Sequence, residues 1–493
     1  MDIYKSFIKD NLLILSGHIL IYLQGIILMP IIIKSVGVTI YGGYVLLTSA
    51  LGFLFGISSL GVGFRCKRYL PSSTDKKLRC ELFYPQLLFQ IISIFILSLA
   101  ILLLEPFMKD WFLNNKIEFM ILLAPLFLWL SMFYSQAADY FRYTGRMSFF
   151  NYATVLMPYI NIGIVVLFLY SLHDLNINLL ISAQIISMLL ITTPLFFSIY
   201  NEIGFNFPTM KINELISDIK LGFPIVLGYV TNFVVSSSDR YVIALFLSVT
   251  AVGYYNPAYG LGSLIIFYPM VSGIVLPPLL SKAVDNGKEH EARVMIDYTI
   301  KGFLFIGIPF LLGSYVMSKP LLTMFANAEV AENAYLIVPV VAMGMIFYGL
   351  IVILSNVLFV QMKTSAIFRV NVIAALLNLT LNLVLIYIFR DIMMAALSTL
   401  FSYFIAFILI TRTVAANWPL NFNLSILVKP VVASILMIIP LFWISSQLTV
   451  YAHQPLYILG EVLISGAVYI VALSILGAFS RQELVYLKGV FSK

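Results

Sequence analysis

The sequence predicts an all-α polytopic membrane protein with about fourteen transmembrane helices. Of its 493 residues, 61% are hydrophobic and only 10% are charged, whereas an average soluble domain is roughly 45–50% apolar. Apolar runs of about 20 residues, long enough to cross a hydrocarbon core of about 30 Å, recur along the whole chain. The runs are continuous rather than alternating in polarity, which excludes the strands of a membrane β-barrel.

Each apolar run is interpreted as one membrane-spanning helix. The first run follows Lys5 and Lys9, as in a signal peptide, but it is too long for a signal peptide's apolar region and lacks a small-residue cleavage site. We therefore expect it to remain as the first helix. In chain order the predicted spans are 12–35, 41–64, 82–104, 117–138, 150–170, 179–200, 221–247, 254–280, 302–322, 336–360, 370–388, 395–413, 430–448 and 457–479.

The basic residues predict the orientation of these helices. Of the 29 Lys and Arg residues, 23 lie at one set of helix ends and five at the other. Since cytoplasmic loops keep the excess of Lys and Arg, we expect both termini to lie in the cytoplasm and the protein to lie in the cytoplasmic (inner) membrane. The net charge of +7 then reflects membrane topology, and we expect no nucleic-acid partner.

The residue types that carry catalysis or bind metals are not grouped in this sequence. Cys66 and Cys80 match neither a CxxC redox motif nor a zinc motif, so we expect free thiols. The four histidines are scattered, and no Gly-rich phosphate loop or nucleophile elbow is present. We therefore expect a protein that is not an enzyme and has no cofactor or metal. Whether Na⁺ or H⁺ acts as a coupling ion is left open.

A short motif occurs twice, 211 residues apart. The segment "VGVTIYGGY" from Val36 and the segment "LSVTAVGYY" from Leu247 share Val, Thr, Gly and Tyr at equivalent positions. Each copy lies at the outer turn of a predicted helical hairpin, and a long basic loop follows each hairpin. Helices 1–6 and 7–12 are therefore predicted to be two pseudo-symmetric copies of one six-helix lobe, related as parallel repeats.

This repeat gives the predicted domains. They are a first lobe at 1–207, an amphipathic linker at 208–220, a second lobe at 221–413, and a region at 414–493 with two extra helices and a cytoplasmic tail. Apolar residues in "PTMKINELISDIK" recur at helical spacing along the linker. Both an interfacial helix and an extension of the seventh span fit this pattern.

A charged pair stands inside the seventh span. A lone charge there costs about 2.5–3.5 kcal/mol, so Asp239 needs water or a partner. Ser236, Asn232 and Gly228 precede it at spacings of three and four residues and share its helix face. We predict that this stripe faces a cavity between the lobes. In the alternative, Asp239 anchors Arg240 or a neighbouring helix.

Other polar residues occur in the predicted membrane region of the second half. Asn378 and Asn382 lie on one face of the eleventh span, where amides can bind sugar hydroxyls or join helices. Asn256 and Tyr259 in the eighth span combine an amide with an aromatic ring, which suits a carbohydrate. Glu461 in the last span lies outside the repeat, and we expect it to have a structural or interface role.

Several motifs together resemble those of a known family. They are the basic start of the first helix, the "YGGY" turn, the "FRYTGR" end of the fourth span, and "SSSDRYVIALFLSVTAVGYYNPAYGLG" from Ser236. In these motifs and in helix number the chain resembles the O-antigen and exopolysaccharide flippases, which belong to the multidrug/oligosaccharidyl-lipid/polysaccharide exporter superfamily. The resemblance implies two lobes in a V-shape and the alternating-access transfer of a polyprenyl-pyrophosphate-linked oligosaccharide from the inner to the outer leaflet.

A pyrophosphate substrate would need cations. Arginine suits it because the planar guanidinium binds phosphate oxygens in pairs. The candidates are Arg65, Arg142 and Arg146 at the cytoplasmic mouth and Arg240 deeper in the membrane. Ordinary basic loop charge is the alternative for the first three. The implied partners are the lipid-linked oligosaccharide, membrane lipids and polysaccharide polymerase machinery, and we expect a monomer.

Two other classes of membrane protein fit part of the pattern. A cation-coupled multidrug antiporter would share the fold but would need buried carboxylates, and the first half has Leu28 at the repeat position of Asp239. A polysaccharide polymerase or ligase would be expected to carry a sizeable external loop, and the predicted external loops are short. Both alternatives stay open on the sequence.

Overall fold

A computed structural model describes residues 2–73, 75–112, 120–172, 175–205, 212–416, 418, 425–447 and 455–478. Regular secondary structure across these ranges is helical, without a strand. The helices are α1 (Asp2–Val36), α2 (Val38–Ser58), α3 (Phe64–Tyr69), α4 (Lys76–Phe112), α5 (Met120–Tyr143), α6 (Met147–Leu172), α7 (Ile177–Ile203), α8 (Ile212–Phe246), α9 (Val249–Gly262), α10 (Phe267–Asp285), α11 (Glu289–Phe325), α12 (Ala328–Ala334), α13 (Ile337–Val360), α14 (Thr364–Phe389), α15 (Met393–Ala415), α16 (Ser425–Gln447) and α17 (Pro455–Ile475).

The predicted spans fall on the long helices. The eighth span covers α9, a 3₁₀ turn at Ser263–Ile266 and α10 in series. Thirteen helical segments in the described ranges are long and apolar enough to cross a membrane. The fourth predicted span corresponds to α5, a 24-residue helix outside these thirteen whose second half carries Gln136, Asp139 and Arg142. The prediction of an all-α polytopic membrane protein is confirmed.

The chain divides into two compact units, Met1–Ser237 (unit 1) and Ser238–Lys493 (unit 2). In unit 1, α7 packs against α5 and α6, and α1 packs against α6. In unit 2, α13 contacts α9, α10, α11 and α15, while α16 packs against α11 and α17. The boundary between the units lies inside α8. The lobes predicted from the repeat, 1–207 and 221–413, stay a prediction.

Both copies of the repeated motif begin a helix at the equivalent residue. Helix α2 starts at Val38 after Gly37, which has a φ of 86°, and α9 starts at Val249 after Ser248. The Ser248 side chain accepts a hydrogen bond from the Ala251 backbone N–H and so caps α9. The motif therefore marks the N-terminus of a helix in each half.

The amphipathic segment that follows the first half is continuous with a long helix. Residues 206–211 lie outside the described ranges, and α8 begins at Ile212. From Ile212 onward the segment therefore forms the first turns of α8, which is the arrangement of an extended seventh span.

Within unit 1, α8 packs against α2 along what we call the α2–α8 seam. The Tyr229 hydroxyl donates a hydrogen bond of 2.9 Å to the Gly52 carbonyl. The Phe53 and Phe233 rings stack with their centroids 4.1 Å apart. Aromatic stacking adds to the burial of apolar area, so these contacts attach the first part of α8 to α2.

Glycines bring the two backbones together at one end of this seam. After α2 the chain makes a left-handed turn at Leu60 and Gly61, with φ values of 43° and 73°. A Cβ atom at Gly61 would overlap the Gly222 backbone of α8, and a Cβ at Gly222 would overlap Gly61. The seam therefore needs glycine at both positions.

The membrane orientation gives a prediction of its own. We expect reporter fusions at Asn114, His173 and Ala452 to report an external location, because the Lys and Arg distribution places both termini in the cytoplasm. All three positions lie outside the described residues. Alkaline phosphatase activity at each position, with a fusion near Gly287 as the internal control, checks the topology. An internal location for any of the three would contradict the predicted helix count.

Candidate functional site

The charged pair of α8 lies against the helix that follows it. Because α8 and α9 are joined by the short connection at Leu247 and Ser248, residues 16 positions apart face each other across the hairpin. We call Asp239, Arg240, Tyr255, Asn256 and Tyr259 the Asp239 cluster. All of its members lie in unit 2.

Asp239 is held by hydrogen bonds on both carboxylate oxygens. Its side chain is 1% exposed. The Tyr255 hydroxyl donates a hydrogen bond of 2.7 Å to Oδ2, and the Arg240 backbone N–H donates one of 2.8 Å to Oδ1. A buried carboxylate requires such donors because it has lost its hydration.

The guanidinium of Arg240 also contacts three other members of the cluster. Its Nη1 lies 3.5 Å from Asp239 Oδ1, and its Nε donates a hydrogen bond of 2.8 Å to Asn256 Oδ1. The Tyr259 ring lies beneath the guanidinium, and the ring centroid is 4.9 Å from the guanidinium carbon Cζ. Such placement stabilises a cation over an aromatic face. The side chain of Arg240 is 11% exposed.

The sequence prediction named four members of this cluster and missed Tyr255. The repeat could have pointed to Tyr255, because this residue is the repeat equivalent of Tyr44. In the structure the Tyr44 hydroxyl also has a polar partner, since it accepts a hydrogen bond from Gln184. The contacts within unit 2 match the alternative in which Asp239 anchors Arg240. They favour that role over a head-group contact for Arg240.

The other two polar residues of the α8 stripe lie outside the Asp239 cluster. Asn232 is exposed, and Ser236 is half-buried with its Oγ 3.3 Å from Ser237 Oγ. Both belong to unit 1, whereas Asp239 belongs to unit 2. Their predicted exposure to a cavity stays a prediction.

The asparagine stripe of α14 joins helices in the interior of unit 2. Asn378 and Asn382 are both fully buried. Asn378 Nδ2 donates a hydrogen bond of 3.1 Å to Thr399 Oγ1 on α15, and Asn382 Nδ2 donates one of 3.0 Å to Asn378 Oδ1. These contacts correspond to the alternative in which the amides connect helices.

The three mouth arginines lie in unit 1, and each faces an acid. Arg142 Nη2 is 3.5 Å from Asp139, and Arg65 Nε is 4.0 Å from Asp218. Arg146 pairs with Glu202 on α7.

Glu202 also pairs with Arg79, which donates hydrogen bonds to the Ser73 carbonyl. The sequence prediction did not identify the acids Asp139, Glu202 and Asp218. Glu202 and Asp218 approach the arginines only through tertiary packing, whereas Asp139 lies one turn before Arg142 on α5 and could have been found from helical spacing.

The mouth arginines remain partly accessible despite these ion pairs. The side chains of Arg65, Arg142 and Arg146 are 37%, 39% and 34% exposed. Burial raises the pKa of the Asp139 carboxyl, and Arg142 and Lys67 oppose this rise. Partial burial therefore disfavours the ionised form of Asp139, the acid that pairs with Arg142.

Both cysteines are free and buried in unit 1. Cys66 Sγ donates to the Leu82 carbonyl, and burial raises the pKa of the Cys66 thiol. A thiol that resists deprotonation is a poor nucleophile and metal ligand. Across the residues that the structure describes, no three His, Cys, Asp or Glu side chains are grouped to hold a metal ion.

Two family models match the chain. The model of the family described as polysaccharide biosynthesis protein matches residues 7–284, more than half of the chain, and the MatE model matches residues 224–384. A curated relative, described as a probable lipid II flippase MurJ of Vibrio cholerae serotype O1, is 25% identical over 139 residues. That alignment covers 27% of this chain and 26% of the relative, about a quarter of its length.

Solved structures share the fold at low sequence identity. A lipid II flippase MurJ in an inward closed conformation has a TM-score of 0.73 and 16% identity, covering 95% of this chain and 98% of that protein. A multidrug resistance MATE family transporter of the MOP superfamily, facing inward, has a TM-score of 0.60 and 14% identity, covering 83% and 95%. The family match confirms the resemblance predicted from the sequence, and the chain belongs to the family described as polysaccharide biosynthesis protein.

Proposed function

We propose that this protein is a flippase for a polyprenyl-pyrophosphate-linked oligosaccharide, the repeat unit of a surface polysaccharide. It moves this lipid from the inner to the outer leaflet of the cytoplasmic membrane by alternating access, without covalent chemistry. The single observation that carries the proposal is the polysaccharide biosynthesis family match across residues 7–284 on a chain with a transporter fold. The relative and the structural neighbour named as lipid II flippases support a lipid-linked substrate.

The charges of unit 1 support a pyrophosphate head group. The side chains of Arg65, Arg142 and Arg146 are each about one-third exposed, and each forms an ion pair with a carboxylate. The exposed part of each guanidinium can bind phosphate oxygens in pairs while the acid stays in place. Arg240 has no part in this step, since its guanidinium is engaged with Asp239 and Asn256.

A multidrug antiporter is the second candidate function. The MatE match to residues 224–384 and the fold likeness to MATE transporters favour it. Coupling to Na⁺ or H⁺ would be required for that activity, and the flippase proposal leaves the coupling ion open. The two functions differ in substrate, so one experiment in cells separates them.

Deleting the gene in its own host provides this test. We expect the surface polysaccharide to disappear and the lipid-linked repeat unit to accumulate inside, because transfer precedes polymerisation outside. Wild-type protein should restore the polymer, whereas a variant with Arg65→Gln, Arg142→Gln and Arg146→Gln should not, at matched protein amounts. Normal polysaccharide in the deletion strain with raised drug sensitivity would support the antiporter and contradict the flippase.

A further inference from the structure

Glu461 is a second membrane-embedded acid, and its surroundings differ from those of Asp239. It lies in the first half of α17, two turns from the start of the helix at Pro455, and is 3% exposed. Asp239 contacts Arg240 and Tyr255, whereas Glu461 has no ion pair with any residue in the described ranges. A buried carboxylate without a cation costs free energy in a membrane, so the charge of Glu461 must be removed or stabilised in another way.

The packing of α17 identifies what faces Glu461. The Tyr469 hydroxyl donates to the Phe305 carbonyl of α11, and Ile458 packs with Met317 of the same helix. These two contacts make α17 antiparallel to α11 in this region. Glu461, three residues after Ile458, therefore lies level with Ser314, three residues before Met317.

Hydroxyl groups and apolar side chains lie at this level of the packed helices. Ser314 is buried, and its Oγ donates to the Leu311 carbonyl, which leaves lone pairs on the hydroxyl oxygen. Ser465 lies one turn from Glu461 on the same face, is 3% exposed, and its Oγ has no hydrogen-bond partner. Leu441 of α16 packs against the neighbouring Ile458.

The cations of the packed helices are engaged elsewhere. Lys319 on α11, five residues beyond Ser314, pairs with Glu332 at 2.7 Å. Lys301 lies over the Phe305 ring, and Lys429 on α16 donates to the Gly477 carbonyl. Other than Glu461, α17 carries no charged residue. Arg293, near the start of α11, pairs with Glu289. Hence no cation on the described parts of these helices neutralises Glu461.

We propose that Glu461 is a proton-binding site at the contact of α11, α16 and α17. The carboxyl is neutral, and its single O–H can donate to the hydroxyl oxygen of either Ser314 or Ser465. The proton is the ligand that fits, because the site offers one carboxyl and hydroxyls, too few oxygens for a metal ion. This inference does not depend on the proposed substrate.

A hydrophobic carbodiimide tests the proposal, since it reacts with protonated carboxyl groups. The acid proton moves to one carbodiimide nitrogen and the carboxylate oxygen adds to the central carbon. The acyl group then migrates to nitrogen and leaves a stable N-acylurea that retains the whole reagent. Peptide mass spectrometry of the full-length protein locates this adduct.

We expect labelling of Glu461 at neutral pH in the folded protein treated with dicyclohexylcarbodiimide. Asp239, paired with Arg240, should stay unlabelled, as should the exposed acids Glu289 and Glu291. The Glu461→Gln variant should fold in normal amount and lose the adduct. Equal labelling of Asp239 and Glu461, or an adduct retained in E461Q, overturns the proposal.

Infrared spectroscopy gives a measurement that does not depend on reagent access. The difference spectrum of wild type minus E461Q should contain the carbonyl band of one protonated carboxylic acid. A carboxylate band in its place overturns the proposal whatever the labelling result.

Discussion

Replacing Asp239 by asparagine should lower the amount of folded protein sharply. Asparagine keeps the shape, but its single oxygen can accept only one of the two hydrogen bonds that Tyr255 and the Arg240 backbone donate to separate carboxylate oxygens. It leaves the guanidinium of Arg240, whose side chain is 11% exposed, without its counter-charge. Breaking a buried ion pair from one side costs about 3–5 kcal/mol. Thermal unfolding in detergent, followed by size-exclusion chromatography, measures the loss.

The opposite substitution should be milder. In Arg240→Met the carboxyl of Asp239 can take up a proton and become neutral, whereas a guanidinium cannot lose its proton in a protein. The double variant D239N/R240M removes both charges and should recover part of the stability lost in D239N. The three variants form a double-mutant cycle that isolates the pair.

The same variants separate folding from transport. Normal stability of D239N with loss of surface polysaccharide would contradict the anchoring role and assign Asp239 to transport. That was the role expected from its position on the α8 stripe with Asn232 and Ser236. The contacts to Arg240 and Tyr255 lead us to expect loss of protein and function together.

Replacing Gly61 by alanine should have the other large effect on stability. A non-glycine residue in the left-handed region costs about 1–2 kcal/mol, and overpacking costs about 1–3 kcal/mol. Gly61 has a φ of 73°, and its Cβ would overlap the Gly222 backbone, so both penalties apply. We expect G61A to lose roughly the sum of the two, measured by the unfolding temperature in detergent.

Two matched variants separate these penalties. Gly145 has a φ of 77° with open space around it, so Gly145→Ala should show the conformational cost alone. Gly222 lies inside α8, so Gly222→Ala should show the cost of the overlap with Gly61 less the roughly 1 kcal/mol that alanine gains over glycine in a helix interior. If G61A were no less stable than Gly145→Ala, the close approach of α2 and α8 would not exist in the folded protein.

Composition and hydrophobic run length predict most of this fold. Continuous apolar runs leave few choices, because backbone polar groups in a membrane must be satisfied within helices. The repeat offset of 211 residues also correctly relates the starts of α2 and α9 at Val38 and Val249. The position of α8 relative to α2 was not predictable, since it depends on the left-handed turn at Leu60 and Gly61.

The candidate sites were predictable where the contacts are local. Arg240 and Asn256 meet because one short connection joins their helices, and helical spacing alone places them on facing turns. The acid Glu202 pairs with Arg79 and Arg146 from distant parts of the chain, and no spacing rule relates them. For Asn378 the residue type permits two roles, and only the contact with Thr399 distinguishes them.

The most direct measurement is transfer of the lipid-linked oligosaccharide by purified protein in vesicles. The lipid isolated from the deletion strain is placed in proteoliposomes, and its accessibility to an external glycosidase is followed with time. The proposed function predicts that wild-type protein makes the inner-leaflet pool accessible far faster than protein-free vesicles do, and that the Arg65, Arg142 and Arg146 triple variant does not. Equal rates with and without the wild-type protein, in vesicles where it is folded, would contradict the flippase.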